Sequence, residues 1–238
     1  MKGPYGLELN EDCKTCKRKA NEFFCQLPLD ALKDFDALKS STAYPKGAIL
    51  FMEKQEARGV FVLCEGEVKL SICSAEGKTL IMRVAKAGEI LGLLGAMSGS
   101  PYEATAETLR PCQVAFIRRE DFQRFFTKHP EVAQNVVRQM SVQYRAACEQ
   151  LRTVGLSGSA HEKLARLLLD WSADIQQTKE GTRIKLPLTH EEIAEFIGTT
   201  RETVTRTLSD FKVRHLISIE GSTLMIPNRA ALENFAHV

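Results

Sequence analysis

The stretch LTHEEIAEFIGTTRETVTRTLSDF, residues 188–211, limits the possible fold more than any other part of the sequence. Thr189 is followed three residues later by Glu192, which is the spacing of a capping box at a helix start. Gly198 can end that helix, and Thr200 can cap a second one. Two short helices joined by a tight glycine turn predict a helix-turn-helix.

The second of these helices has two different faces. Val204, Leu208 and Phe211 recur at helical spacing and are expected to face inward. The opposite, polar face carries four candidate DNA-binding residues: Arg201, Glu202, Thr205 and Arg206. Arginine can bond two acceptors on guanine, glutamate can accept from the amino group of cytosine, and threonine can meet a thymine. A charged helix face is often only a solvated one, but LISIEGSTLMI (216–226) predicts the hairpin wing of a winged helix, which favours DNA binding.

In the region from 41 to 117, short apolar runs alternate with glycines. This pattern predicts many short strands in a compact β-sandwich or roll. Helical spacing is seen before it, in LPLDALKDFDALKS with Leu29, Leu32, Phe35 and Leu38, and after it, in REDFQRFFTKHP.

A long helix is predicted from 130 to 155, with Pro130 in its first turn. Apolar residues recur in alternating steps of four and three, which is a heptad pattern: Ala133, Val137, Met140, Tyr144, Ala147, Leu151 and Val154. Such a stripe fits either a helix lying on its own domain or the seam of a two-helix dimer. The narrow stripe and its charged flanks favour the dimer, with an interface of Val137, Met140, Tyr144, Ala147 and Leu151. Gly155, Ser157 and Gly158 then indicate a hinge, followed by an amphipathic helix over 159–177.

Composition narrows the function classes. A chain of 238 residues with 44% hydrophobic content can bury one large core or two smaller ones. The net charge of +2 gives no basic field over the whole protein, so any charge that attracts DNA is local. No long apolar run indicates a membrane span, and the N-terminus lacks the pattern of a signal peptide, so a cytoplasmic protein is expected. No nucleophile, base and orienting group occur together, so we expect no enzyme. The remaining alternative of another class is an enzyme or a ligand-binding module without DNA.

Three segments, EGEVKL, AGEILGLLGAMSGSPYEATAET and the helix-turn-helix stretch, resemble the bacterial CRP/FNR transcription regulators. The resemblance extends from about Leu27 to Ala236. It implies an α+β fold with an N-terminal cyclic-nucleotide-binding-like β-roll, a long dimerisation helix and a C-terminal winged helix-turn-helix. The corresponding ranges are an arm over 1–26, the roll over 27–129, the helix over 130–155 and the DNA-binding domain over 156–238. The implied partners are a second copy of the chain, a double-stranded DNA palindrome and RNA polymerase.

The resemblance also bears on the ligand of the roll. Family members that bind cyclic AMP carry an Arg-Ser pair for the phosphate and, upstream of it, a Gly-Glu pair that reaches the ribose. Gly88 and Glu89 match the second pair, but Tyr102 and Glu103 stand at the Arg-Ser positions. A carboxylate repels a phosphodiester and supplies no donor. Binding of a cyclic nucleotide is therefore not expected, and the Gly-Glu pair is expected to be only a turn.

Seven cysteines in a chain expected in a reducing compartment favour metal ligands, redox chemistry or free thiols over disulfides. The FNR branch of the family holds an iron–sulfur cluster with three N-terminal cysteines and one from the roll. Cys13, Cys16 and Cys25 match the first three and Cys112 matches the fourth, although the spacing between Cys16 and Cys25 is longer than in the best-known members. The implied cofactor is a [4Fe–4S] cluster, and the implied signal is oxygen, nitric oxide or redox state.

Other interpretations of the cysteines stay open. A zinc site, a thiol or disulfide switch, and an arm without a function also fit the arm cysteines. The same DNA-binding regulator is compatible with a small metabolite in the roll or with haem as its input. Cys64, Cys73 and Cys148 are expected to be small core residues. The target genes and the choice between activation and repression cannot be derived from the sequence.

Overall fold

The structure is a computed structural model that describes residues 4–9, 12–13, 16, 27–173, 175, 181–221 and 223–236. The chain divides into two compact units. One contains Met1–Gly77 and Met82–Ala146, and the other contains Lys78–Ile81 and Ala147–Val238. Among the residues described, no helix is both long enough and apolar enough to cross a membrane.

Eight short strands build the β-roll. In chain order they are β1 (Ser40–Tyr44), β2 (Ile49–Phe51), β3 (Gly59–Glu65), β4 (Glu67–Cys73), β5 (Thr79–Lys86), β6 (Ile90–Leu91), β7 (Thr105–Thr108) and β8 (Cys112–Arg118). One sheet has the order β1-β8-β3-β6, and the other has the order β2-β7-β4-β5. In the first sheet, β3 pairs antiparallel with both β8 and β6. The predicted strand-rich roll is therefore confirmed.

Three short helices accompany these strands: α1 (Leu29–Leu38), α2 (Leu93–Ser98) and α3 (Arg119–Lys128). A buried cluster joins α1 and α3 to the roll, and the rings of Phe35 and Phe125 lie 6.1 Å apart in it. Leu32 and Phe35 are buried, whereas Leu29 is 66% exposed. Each residue turns a helix by about 100°. Leu29 therefore lies on a different side of α1 from the buried residues.

The long helix α4 spans Pro130–Gly155. Near its start, Val132, Val136 and the side chain of Gln139 are buried. The amide of Gln139 pairs with the backbone of Ile90 in β6: Nε2 donates to the carbonyl at 2.7 Å, and Oε1 accepts from the N–H at 3.0 Å. The side chain thus acts as a strand partner, and it joins this part of α4 to the edge of a sheet.

The other unit contains the helices and strands that follow α4. They are α5 (Ala160–Trp171), β9 (Thr182–Lys185), α6 (His190–Ile197), α7 (Arg201–Val213), β10 (Ser218–Glu220), β11 (Thr223–Ile226) and α8 (Arg229–Ala236). The strands form a sheet of order β10-β11-β9, and the β10–β11 hairpin is the predicted wing. Helices α6 and α7 form the predicted helix-turn-helix.

The helix predicted over 159–177 is shorter in the structure. Ser159 caps α5 by accepting a hydrogen bond from the N–H of Glu162, and the helix ends at Trp171. Beyond it, the hydroxyl of Ser172 donates to the carbonyl of Leu169 at 2.8 Å. Such local side-chain bonds compete with helical backbone bonds, which accounts for the early end.

Candidate nucleic-acid interface

The start of α6 and the turn after it follow the local rules that predicted them. Oγ1 of Thr189 accepts from the N–H of Glu192 at 3.2 Å, and Oε2 of Glu192 accepts from the N–H of Thr189 at 2.9 Å, so the capping box is confirmed. Gly198 ends α6 with φ +65°, in the left-handed region where a side chain is strained. Thr200 then caps α7 by accepting from the N–H of Thr203. The turn that sets α7 against α6 is thereby fixed.

Helix α7 buries one face. Val204, Leu208 and Phe211 are buried, as predicted. The ring of Phe211 packs at 5.6 Å from that of Phe235 in α8 and at 5.7 Å from that of His161 in α5. These contacts fix the rotation of α7 about its axis. The opposite face, with its polar residues, is held in a defined orientation.

The predicted DNA-binding residues share that outer face, and all of them are exposed: Arg201, Glu202, Thr205 and Arg206. Hydrogen bonds from its own backbone amide and from Thr200 hold the pKa of Glu202 below its usual range. Glu202 is therefore ionised near neutral pH and can only accept hydrogen bonds. An exposed acceptor between arginines matches the donor and acceptor pattern of a C·G pair in the major groove.

A contact between the two helices was not predicted from the sequence. Nδ1 of His190, the first residue of α6, lies 3.0 Å from Oγ1 of Thr205 on the outer face of α7. The side chain of Ser209, one turn further along α7, donates to the backbone carbonyl of Thr205 rather than to its hydroxyl. His190 is thus a polar partner of one of the four candidate DNA-binding side chains.

Most of the predicted interface residues of α4 are exposed. Val137, Met140, Tyr144 and Leu151 are exposed, and Tyr144 is 73% exposed. Ala147 is half-buried. The buried side of α4 is made by other positions, so contact with its own chain does not explain the apolar stripe.

Aromatic side chains fill part of the roll interior. Tyr102 is buried and stacks on Phe51, with ring centroids 4.1 Å apart. Its hydroxyl donates to the carbonyl of Gly59 at 2.8 Å. A Cβ placed on Gly92 would lie 2.5 Å from the Tyr102 ring, so that ring packs directly on the backbone at the start of α2. Tyr102 therefore occupies buried space as a packing residue.

The Gly-Glu pair of the roll forms a turn, as expected. Gly88 has φ +95° and lies between β5 and β6. Oε1 of Glu89 accepts from the N–H of Lys86 at 2.7 Å, and its other oxygen accepts from the guanidinium of Arg83. The carboxylate of Glu89 is thus engaged within its own turn.

The cysteines of the proposed cluster have different surroundings. Sγ of Cys13 accepts a hydrogen bond from the ammonium of Lys39 at 2.9 Å, and burial raises the pKa of the thiol to about 11. Sγ of Cys112 is buried within β8 against the carbonyls of Glu67 and Arg110, and burial raises its pKa as well. Cys25 lies outside the described residues.

Cys13 and Cys112 belong to different buried clusters in the part of the chain that the structure describes. Cys13 packs beside the cluster of α1 and α3, whereas Cys112 belongs to the cluster around Tyr102. Among the residues that the structure describes, no group of three or more potential metal ligands comes together. Burial raises the pKa of both thiols, so ligation of a metal by either one has to release a proton.

One expectation about the other cysteines is wrong. Cys73 is exposed, because it is the last residue of β4 and the pleat alternation turns it outward. Cys64 and Cys148 are half-buried.

Comparison with known proteins agrees with this architecture. A family model described as a cyclic nucleotide-binding domain matches residues 41–129, and a Crp-like helix-turn-helix domain model matches residues 162–235. The chain belongs to the CRP/FNR family of transcription regulators. Its helix-turn-helix is the DNA-binding element of that family.

Two relatives show the breadth of the CRP/FNR family. The probable transcriptional regulator flp of Lacticaseibacillus casei is 27% identical over 90% of this chain and 94% of its own length. The cAMP-activated global transcriptional regulator CRP of Salmonella typhimurium is 26% identical over 77% of this chain and 87% of its own length. The solved structure of FixK2 from Bradyrhizobium japonicum has a TM-score of 0.72 at 22% identity, and the match covers 83% of this chain and 96% of that one. This last similarity supports the fold.

Sequence reasoning missed several residues that hold the functional elements of this CRP/FNR protein in place. Gln139, His190 and Lys39 each form a polar contact with a partner that is distant in sequence. Only Gln139 carried a signal, since a polar residue interrupts the apolar face of α4 next to the roll. The contacts of Lys39 and His190 depend on which elements the fold brings together.

Proposed function

We propose that this CRP/FNR regulator is a cytoplasmic homodimer that reads a DNA palindrome through α7 of each copy and acts on transcription together with RNA polymerase. The observation that carries this proposal is the outer face of α7. It presents Arg201, Glu202, Thr205 and Arg206, all exposed, on a helix whose rotation is fixed by a buried apolar face. Such a helix fits the major groove and can reach base edges from its N-terminal half.

The expected half-site is close to GTGA. In relatives that the sequence resembles, residues at the positions of Glu202 and Arg206 read a TGA core, with arginine on guanine and glutamate on the paired cytosine. Thr205 suits the thymine of that core, and Arg201 suits the outer guanine. In a two-fold dimer, the centres of the half-sites are about one helical turn apart.

A substitution at Arg201 tests this assignment. If Arg201 reads the outer guanine, Arg201→Ala should cost about 1–3 kcal/mol on GTGA palindromes and much less on TTGA palindromes. If it holds a phosphate, both palindromes should weaken equally and the salt dependence should become shallower. Fluorescence anisotropy titrations at three salt concentrations separate these results. Equal loss on both sites would refute base reading by Arg201, and equal binding to a scrambled duplex by the wild type would refute the proposed function.

The dimer is proposed from the exposed stripe of α4. Two copies can bury Val137, Met140, Tyr144 and Leu151 against each other, together with Ala147, in the manner of a coiled coil. The interface positions carry no acidic residue that would oppose pairing. We therefore expect the dimer to form without any cofactor.

The input of the regulator is not a cyclic nucleotide in this proposal. Tyr102 takes up buried space at the position that the resemblance assigns to a phosphate-binding arginine, and the neighbouring Glu103 is exposed and acidic. The carboxylate of Glu89 is already engaged by Arg83 and by the N–H of Lys86. Isothermal titration with cyclic AMP should therefore show no binding, and a micromolar dissociation constant would refute this part of the proposal.

For the signal, a [4Fe–4S] cluster on Cys13, Cys16, Cys25 and Cys112 stays our proposal. It is supported by the number and order of these cysteines. Cys13 and Cys112 pack in different clusters among the described residues, and Cys25 lies outside those residues. If bound, the group would supply reactivity toward oxygen or nitric oxide.

Iron and sulfide analysis after anaerobic purification tests the cluster. We expect about four iron and four sulfide per chain, lost in Cys112→Ser and kept in the control Cys148→Ser. Full iron content in Cys112→Ser would exclude the proposed ligand set. Zinc in place of iron would favour a zinc site, and a metal-free protein whose DNA binding changes with oxidation would favour a thiol switch.

A further inference from the structure

The contact between His190 and Thr205 joins the first turn of α6 to the outer face of α7. The two atoms, Nδ1 and Oγ1, are 3.0 Å apart. Thr205 is exposed and His190 is half-buried. The capping box fixes the position of His190 because it holds the residues on either side of the helix start. The imidazole is therefore presented to α7 from a rigid element.

This contact limits the side chain of Thr205. A threonine in a helix divides between two rotamers, because its hydroxyl can also bond to the carbonyl one turn back. With Oγ1 held toward α6, the hydroxyl and the methyl group of Thr205 point in different directions, since both are attached to Cβ. Either tautomer of His190 maintains the contact: the hydroxyl donates to a bare Nδ1, or it accepts from an Nδ1–H.

We propose that His190 is a positioning residue for sequence readout, which holds the hydroxyl of Thr205 on α6 so that its methyl group is offered to the base. The partner selected by a methyl group is thymine, whose C5-methyl lies in the major groove. A free threonine hydroxyl can donate or accept and is compatible with several bases. The inference rests on the proposed function, since it requires α7 to read DNA.

The role of His190 can be measured as the preference for thymine over cytosine in the TGA core. A well-read base pair is favoured over a mismatch on the order of 5- to 150-fold. We expect His190→Ala to lower the preference for thymine over cytosine at that position about five-fold or more. His190→Asn should restore much of it, because the asparagine amide is a short polar group that can reach the same hydroxyl. The preference is a ratio within one protein preparation, so a partly inactive sample does not change it.

Removing the hydroxyl of Thr205 tests the role of His190 most directly. Thr205→Val keeps the shape of the side chain and offers a methyl group in either rotamer. We expect the thymine preference measured in this background to be insensitive to a second change, His190→Ala. Glu191→Ala alters an exposed residue on the same turn of α6 and serves as the control, with the preference unchanged.

The full-length wild type and variants would be titrated by fluorescence anisotropy with two palindromes that differ only at the thymine of each half-site, at two salt concentrations. A selective loss of thymine preference in His190→Ala, absent in the Thr205→Val background, is the expected result. An equal loss on both palindromes with a shallower salt dependence would show His190 to be a phosphate contact and would overturn the inference. The same loss in both backgrounds would also overturn it. A wild type without any preference for the palindrome over a scrambled duplex would instead refute the proposed function.

Discussion

Replacing Leu151 by alanine should weaken the proposed homodimer about 100-fold. Leu151 is on the heptad stripe of α4 and is 68% exposed in the single chain. Full burial of a leucine side chain contributes about 2 kcal/mol, of which about two thirds, or about 1.4 kcal/mol, is still available to a partner. A two-fold dimer contains the residue twice, so the substitution removes about 2.7 kcal/mol, and about 1.4 kcal/mol corresponds to a factor of ten.

Sedimentation equilibrium of the metal-free protein measures this effect directly. Leu156→Ala is a matched control, since Leu156 is 80% exposed and follows the end of α4, outside the heptad stripe. We expect the control to change the dimer dissociation constant less than about two-fold. If both variants weaken the dimer equally, or if neither does, the stripe is not the dimer contact.

Three further results are expected. Met140→Glu should be monomeric in sedimentation equilibrium, because the substitution places an unpaired charge at the proposed two-fold contact. Tyr102→Ala should lower the free energy of unfolding in urea by about 3–5 kcal/mol through a cavity, whereas Tyr102→Phe, which removes only the two hydrogen bonds between the hydroxyl and the backbone of Gly59, should cost about 1–2 kcal/mol. Hydrogen bonds from Lys128 and His129 hold the pKa of Asp34 below its ordinary range, so its ionised form stabilises the fold. Asp34→Asn should therefore lower stability at neutral pH, and urea titrations from pH 7 downward should show the difference disappear as the pH falls below about 4.

The helix-turn-helix could be predicted almost residue by residue because its signals are local. The capping box at Thr189 and Glu192, the left-handed Gly198 and the cap at Thr200 each act within a few residues. Local backbone preferences of this kind persist in any tertiary environment that accepts the helices. The same reason explains why the start of α4 at Pro130 agrees with the sequence pattern.

The surroundings of individual side chains were less predictable. The carboxylate of Glu103 argues against phosphate binding from the sequence alone, but the stacking of Tyr102 on Phe51 and its hydrogen bond to Gly59 depend on strands that are distant in sequence. The contact of Cys13 with Lys39 likewise joins residues that are 26 positions apart in the sequence. Periodicity predicts which side of a helix or strand is apolar, but it does not identify the residues that this side packs against.

One face of α4 contacts the roll, and another face is available for the proposed dimer interface. Gln139 faces the roll and pairs with the backbone of Ile90, whereas Met140, the next residue, lies on the exposed stripe. Adjacent residues on a helix are about 100° apart, so the hydrogen bonds of Gln139 and the exposed apolar stripe lie on different sides of α4. A change in the roll that moves β6 would act on α4 through Gln139, and it would shift the seam residues of the same turn by a similar amount. Gln139→Leu would remove the two hydrogen bonds to Ile90 and leave the exposed stripe unchanged, so it would separate the proposed transmission of a signal from the proposed dimerisation.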